Sequence, residues 1–266
     1  MAVVGQSGRH NRGSTLYVVA IIAGVLCVTT FAGAQGKQKA TSQASAQEIL
    51  KLADEVRFPQ EPFEVGVKIS TTQNGSAIEE RTLKVLSKGN ENAIVLTVEP
   101  ASERGQMLLM KGRDLWVFLP RVSQPVRLSL AQRLVGQVSN GDIARANFTG
   151  DYTARLMGAD IAGTEPLYVL DLVAVDREVT YQRIRYWVQQ SNYRPYKAEF
   201  YSLSGRLLKT CRYEAFQQIG GRVRPTRLVM IDALRKGEES TLEYSAMKLR
   251  ELPDRIFSKD YLKRLE

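Results

Sequence analysis

Gly105-Gln106-Met107-Leu108-Leu109-Met110-Lys111-Gly112-Arg113-Asp114-Leu115-Trp116-Val117-Phe118-Leu119-Pro120 is the stretch on which the fold of this chain turns. It reads as two apolar strands joined by a tight Lys-Gly-Arg-Asp turn, with aromatic and thioether side chains where an enzyme would carry polar groups. Successive positions are apolar, so periodicity does not say which side chains face a core and which a cavity.

Upstream and downstream of this hairpin the period is clearer. Phe63, Val65, Val67 and Ile69 alternate with Glu64, Lys68 and Ser70, and Asn74-Gly75 then marks a hairpin turn. Turn signals recur near Gly89, Pro100, Gly112, Gly163, Ser191-Asn192, Ser204-Gly205, Gly220-Gly221 and Lys236-Gly237. That spacing predicts about ten strands in antiparallel meander order. Ile184, Tyr186 and Val188 alternate with Arg183, Arg185 and Gln189, which gives the sheet one apolar and one wet face.

Helices are expected at three places. Ser45-Ala46-Gln47-Glu48 matches a capping box, and Ile49, Leu50, Leu52, Ala53 and Val56 follow at helical spacing up to Pro59. Residues 129–152 interrupt the strand pattern, and Leu130, Leu134 and Val138, then Asp142, Ile143, Ala144 and Phe148, read as short helices crossing the sheet. Pro253-Asp254 opens a last helical stretch containing Ile256, Phe257, Tyr261, Leu262 and Leu265. The expected fold class is mainly β: a single curved antiparallel sheet with a few helices.

Residues 1–34 read as a cleaved export signal. Arg9 and Arg12 form a basic n-region, Leu16 to Phe31 is apolar, and Ala32-Gly33-Ala34 offers small residues for cleavage before Gln35. Cys27 follows Leu26, so no lipobox is present. Residues 35–46 form a lead-in rich in Lys, Gln, Ser and Ala, and 47–266 the folded domain.

Cleavage removes His10, the only histidine of the chain, and Cys27, one of two cysteines. Without imidazole the commonest general bases, triads and metal sites are excluded, and a lone Cys211 forms no intramolecular disulfide. Asp171, Asp176 and Asp232 lie in or near strands but show no dyad spacing, and solvated strand ends account for them. No nucleophile elbow or phosphate loop appears. No enzyme, cofactor or metal is therefore expected. The formal net charge of +9 fits an anionic membrane surface better than nucleic acid, for which no motif is present.

At this point an ordered series of motifs resembles the LolA-like family of exported lipoprotein-sorting proteins. The series runs from Asn92 to Pro100, Gly105 to Lys111, Leu115 to Pro120, Tyr152-Thr153-Ala154-Arg155-Leu156, Tyr193 to Tyr201, and Gly205 to Lys209. Many relatives carry Gly-Ser-Asp-aromatic where this chain has Asn140-Gly141-Asp142-Ile143. The resemblance implies an incomplete β-barrel with a helical lid over an apolar cavity, a periplasmic location, and acyl chains of lipoproteins or lipids as the bound partner. An inner-membrane permease or an outer-membrane receptor would load or unload the chain. It carries over no catalytic residue.

Such a carrier needs burial rather than bond making, since a ~16-carbon chain gains on the order of 12 kcal/mol on leaving water. The candidate cavity-facing residues are Val65, Val67, Ile69, Trp116, Phe118, Ile184, Tyr186, Phe200 and Met230, each equally suited to an ordinary β core. Two functions are compatible with the sequence: a carrier or chaperone for lipoproteins or lipids, or an accessory module that docks on an envelope lipid-export permease. Space under the helices would favour the carrier, and a well-packed interior the docking module.

Overall fold

The computed structural model describes residues 44–219 and 221–263. The export-signal reading of 1–34 and most of the lead-in fall outside them. After helix α1 (Ala46–Arg57) come strands β1 (Phe63–Gln73), β2 (Ser76–Lys88), β3 (Asn92–Glu99), β4 (Met107–Lys111), β5 (Asp114–Phe118) and β6 (Val126–Leu128). A small hairpin of β7 (Arg133–Val135) and β8 (Val138–Ser139) leads into helix α2 (Asn140–Ala144). Then follow β9 (Tyr152–Ala162), β10 (Glu165–Ala174), β11 (Arg183–Gln189), β12 (Pro195–Tyr201), β13 (Leu207–Ile219), β14 (Arg222–Asp232) and β15 (Glu238–Leu249), with helix α3 (Lys259–Leu262) last.

Thirteen strands form one antiparallel sheet in the order β6-β5-β4-β3-β2-β1-β15-β14-β13-β12-β11-β10-β9. Each strand pairs with its sequence neighbour except at β1–β15, the one long-range pairing, which joins two meanders. The sheet is curved and does not close, because β6 and β9 remain as free edges. The tight turns behave as their residues require: Asn74 (φ 53°) and Gly75 (φ 82°) both take positive φ in the two-residue β1–β2 turn.

Residues 129–144 depart from the expected helices. Leu134 sits in β7 and Val138 in β8, a hairpin that turns at Gly136 with φ 49°. Glycine at a positive-φ position, flanked by the β-branched Val135 and Val138, favours a turn between strands over a continuing helix. Only Asn140–Ala144 is helical there, opened by Ser139 and Asp142 in a reciprocal capping box. In the α1 capping box Ser45 accepts from the Glu48 amide at 3.2 Å. The buried face of α1 is not the expected apolar stripe alone, because it carries Ile49, Leu50 and Ala53 together with Asp54 and Arg57.

The sheet is covered on both sides, which explains why the 105–120 hairpin is apolar throughout. On the inner face, Leu108, Met110 and Leu115 join the main core with α1, the β7–β8 hairpin and α2. On the outer face, Met107, Leu109, Trp116 and Phe118 form a second cluster with Leu252, Ile256, Phe257 and Leu262 of the C-terminal segment. That segment is short-helical, as the residues after Pro253 predict. The sheet interior also holds charge. Asp171 is not a solvated strand end: it is buried and accepts from Arg155 (3.2 Å) and Arg183 (2.5 Å) on the flanking strands.

Glu64 on β1 gathers Lys84 (3.0 Å), Lys248 (3.5 Å) and Arg250 on neighbouring strands and just beyond. Burial pushes its carboxyl up, but the bonds from Lys84 and Arg250 outweigh that and hold it below the ordinary glutamate value of 4.5. A depressed folded-state pKa contributes stability that is present above 4.5 and lost as pH falls through the folded value. Glu64→Gln is therefore expected to flatten the acid side of a melting-temperature profile, and an unchanged acid slope would refute this account.

Candidate functional site

The site is built by register on the inner face. Ile184 stands opposite Phe200 across β11–β12, while Tyr186, Ala198, Cys211 and Met230 form a continuous row across β11, β12, β13 and β14. In β1, Val65, Val67 and Ile69 point to the same face, with Ile69 beside Leu242. Seven of the nine candidate residues thus belong to one apolar cluster. Trp116 and Phe118 do not join them: they lie on the outer face, opposite Leu109 and Met107 of β4.

Residues 129–151 lie over this row as a lid of mixed hairpin and helix. Its underside is apolar, supplied by Leu130, Val135, Val138, Ile143, Ala144 and Phe148. Phe148 acts as a plug, its ring 5.4 Å from Tyr186, 5.6 Å from Tyr152 and 6.5 Å from Phe200. The gaps beside Asn147 and Phe148 are about 20 Å³ each, room for about one water, while a wider recess of about 210 Å³ opens at the lid edge beside Gln137, Ser139, Tyr181 and Lys209. The interior is closed and filled by the protein's own side chains.

Polar latches hold the lid. Asp54 of α1 accepts from the Phe148 amide (2.9 Å), the Thr149 amide (2.6 Å), the Thr149 hydroxyl (2.7 Å) and Arg57 (3.1 Å). Arg57 in turn donates to the Ala146 carbonyl at 2.6 Å, and its guanidinium lies 4.1 Å from the Phe148 ring centroid. Burial works against the charge on Arg57, yet Tyr213, Tyr186 and Asp54 outweigh it and raise its pKa. Arg145 clasps Asp151 at 2.5 and 2.8 Å and also donates to the carbonyls of Asn90 and Gly112. Lys209, buried on β13, reaches Asp142 at 2.7 Å and the Gln137 carbonyl.

Tyr181 donates to the same Asp142 carboxylate at 2.8 Å, and burial with that negative neighbour raises its phenol. The Asn140-Gly141-Asp142-Ile143 departure is thereby placed: Asp142 is both a helix cap and the acceptor that ties lid to sheet. Cys211 is buried, and burial pushes its thiol up to about 12, which suppresses thiolate chemistry. Among the described residues no three His, Cys, Asp or Glu side chains gather as metal ligands.

Gly136 sets the distance between lid and sheet. A Cβ there would lie 2.1 Å from Thr71 Oγ1 and 2.3 Å from Ser240 Oγ. Those hydroxyls are bonded to each other at 2.9 Å, and Ser240 Oγ also accepts from the Gln137 amide. Gly136→Ala is expected to cost about 1–3 kcal/mol through overpacking and positive φ, and to expose 129–151 to limited proteolysis. Wild-type melting and cleavage rates in that variant would remove Gly136 from the docking of the lid.

Sequence reading named the lining row but missed Asp54, Arg57, Arg145 and Lys209. Little local signal marks them, since several of their partners are remote in the chain, 67 residues for Lys209–Asp142 and 95 for Asp54–Thr149, although Arg57–Asp54 and Arg145–Asp151 are three and six residues apart. An Asp and an Arg three apart on an otherwise apolar helix face was the nearest clue.

A family model whose description reads only "-like: Uncharacterized protein" matches residues 89–264. Among curated proteins none matches the chain. A LolA superfamily protein from Nitrosomonas europaea is 63% identical, with a TM-score of 0.80, over 82% of this chain and 100% of that one. A structure from Vibrio parahaemolyticus, provisionally assigned as an outer membrane lipoprotein-sorting protein domain, shares the fold at 20% identity and a TM-score of 0.70, covering 82% and 98%. A DUF1329 family protein from Desulfovibrio piger does so at 23% and 0.69, covering 83% and 100%. With that identity over the whole of the Nitrosomonas chain, and with an open antiparallel sheet whose apolar row lies under a latched lid, this protein belongs to the LolA superfamily.

Proposed function

We propose that this protein is an exported, periplasmic carrier or chaperone for the acyl chains of lipoproteins or lipids, with the chain lying on the inner face once the lid lifts. The observation that supports the reading is the two-sided apolar contact between lid underside and sheet, fastened at its rim by a few buried polar latches. A second detail supports it. The Tyr186 hydroxyl and Arg57 Nε are buried without a well-formed hydrogen bond among the described residues, and the Arg57 guanidinium is the group facing Tyr186. Both are donors, and the ester or amide carbonyl at the head of an acyl chain would satisfy them. No catalytic step is needed for such a role.

Val65, Val67, Ile69, Ile184, Tyr186, Phe200 and Met230 would contact the chain, while Trp116 and Phe118 would support the sheet from behind. Because the closed interior has no room for a ligand of ordinary pocket size, about 300 Å³ or more, uptake requires the lid to move. Native mass spectrometry of protein purified without detergent is expected to show bound acyl species, and a fluorescent fatty acid to be taken up. Absence of both would overturn the carrier reading.

The packed interior and one edge strand favour a second reading, a module that docks on an envelope lipid-export permease. The edge β9 is eleven residues long and exposes Leu156, Met157 and Ile161. An open strand edge of this kind invites pairing with a partner strand. Crosslinking in intact cells distinguishes the two, since docking predicts one dominant membrane-protein adduct.

A further inference from the structure

A larger apolar space than the gaps beside Asn147 and Phe148 lies away from the lid. It lies on the outer face, where the C-terminal segment crosses β2, β3 and β4 and leaves a cleft of about 350 Å³. This falls within the ~300–1,000 Å³ typical of small-molecule sites. Its floor is Leu86, Ile94, Leu96 and Met107, side chains of three adjacent strands that register brings together. The segment overhead is tied down on both sides of the cleft. Lys88 binds the Leu252 carbonyl (3.2 Å) and Asp254 (2.6 Å), and Lys259 sits 3.9 Å from the Trp116 ring centroid.

The mouth of this cleft is basic. Lys84, Arg250 and Arg255 line it; Glu64 and Glu251 lie beside them, and Asp254 is taken by Lys88. Glu64 is shared among three cations, so it neutralises them only in part. Arg255 is exposed, and among the described residues its guanidinium has no ion-pair or hydrogen-bond partner. An apolar floor with an unsatisfied cationic rim matches an amphiphile of the opposite sign.

We propose that this outer cleft binds a single acyl chain bearing an anionic head group, a carboxylate or a phosphate, with the chain on the Leu86–Met107 floor and the head at Arg255, Arg250 and Lys84. The site lies on the opposite side of the sheet from the lid and does not depend on the carrier reading. Hydrocarbon burial supplies the affinity, and the charged rim selects the head.

Calorimetric titration tests it with three probes below their micelle concentrations: laurate, lauroyl lysophosphatidylglycerol and dodecyltrimethylammonium. Saturable binding of either anionic probe, and none of the cationic one, is expected. Laurate alone would identify a fatty-acid site and the lysolipid alone a phospholipid site. Arg255→Glu, on an exposed side chain that holds no partner, and Leu96→Trp, which fills the floor, are each expected to weaken binding by about tenfold or more. Equal binding of the cationic probe overturns the proposal, as does failure of both anionic ones. Anionic binding that neither variant alters also overturns it, and would place the chain under the lid, leaving the carrier reading intact.

Discussion

Asp54→Ala is expected to cost about 3–5 kcal/mol, because it leaves Arg57 as a buried charge without its carboxylate and removes the acceptor of two lid amides at once. For a chain of this size each kcal/mol lowers the melting temperature by roughly 2–4 °C, so the fall is large enough to read without ambiguity. The same four donors face Asp54 from two separate elements, α1 and the 148–149 turn. The loss should therefore be local as well as global, with lid amides exchanging faster than those of the central strands. Asp54→Asn keeps one acceptor oxygen and should lose less. Faster uptake of a fluorescent fatty acid by Asp54→Ala, at a temperature where it remains folded, would tie the latch to lid opening. A melting temperature within a degree or two of wild type would show that the latch contributes little.

Phe148→Ala is expected to have an effect of similar size with a different signature. Removing a buried phenyl ring costs about 3–5 kcal/mol when its surroundings cannot collapse. Here the surroundings are the rings of Tyr152, Tyr186 and Phe200, the last two on strands paired on both sides and Tyr152 at the start of the edge strand β9. The cavity should therefore persist and accept a small hydrocarbon, as apolar cavities do. Benzene or a short alkane is expected to raise the melting temperature of Phe148→Ala but not of the wild type, the stability gain being about 2.7 kcal/mol at a hundredfold excess over the dissociation constant. If added hydrocarbon leaves the variant unmoved, the inner face does not act as an acyl site when the plug is withdrawn.

These two variants separate the roles of the lid. Asp54 holds the lid in place, and Phe148 occupies the volume a ligand would take. A carrier must balance the two, since a plug that fits too well excludes cargo and a latch too weak leaves apolar surface in water. The outer cleft is not subject to that balance, because it is open in the same closed conformation.

Much of the architecture was legible in the residues. The alternation in Phe63–Ser70, the Asn74-Gly75 turn, the Ser45 N-cap of α1 and the short helices after Pro253 all form as their local chemistry dictates. Each depends on interactions within a few positions along the chain. Residues 129–139 form a hairpin and not the expected helix, although Asn140–Ala144 is helical, because their apolar spacing suits either element and Gly136, where a positive-φ turn approaches Thr71 and Ser240, decides between them only once the sheet is there to approach.

By itself, then, the sequence determined the antiparallel meander, the apolar row on one face of it and the family to which the chain belongs. Only the tertiary structure decided how the 105–120 hairpin divides between two cores, with Met110 and Leu115 inward and Trp116 and Phe118 outward. The reason is physical: a strand apolar on both faces carries no periodic signal, and its assignment waits on what covers each side. The buried charges follow the same rule. Asp54, Arg57, Arg145 and Lys209 are ordinary surface residues by composition, and their burial is tolerable because near partners such as Asp54 for Arg57 are joined by remote ones, the 148–149 amides and Asp142, that meet them only in the folded chain.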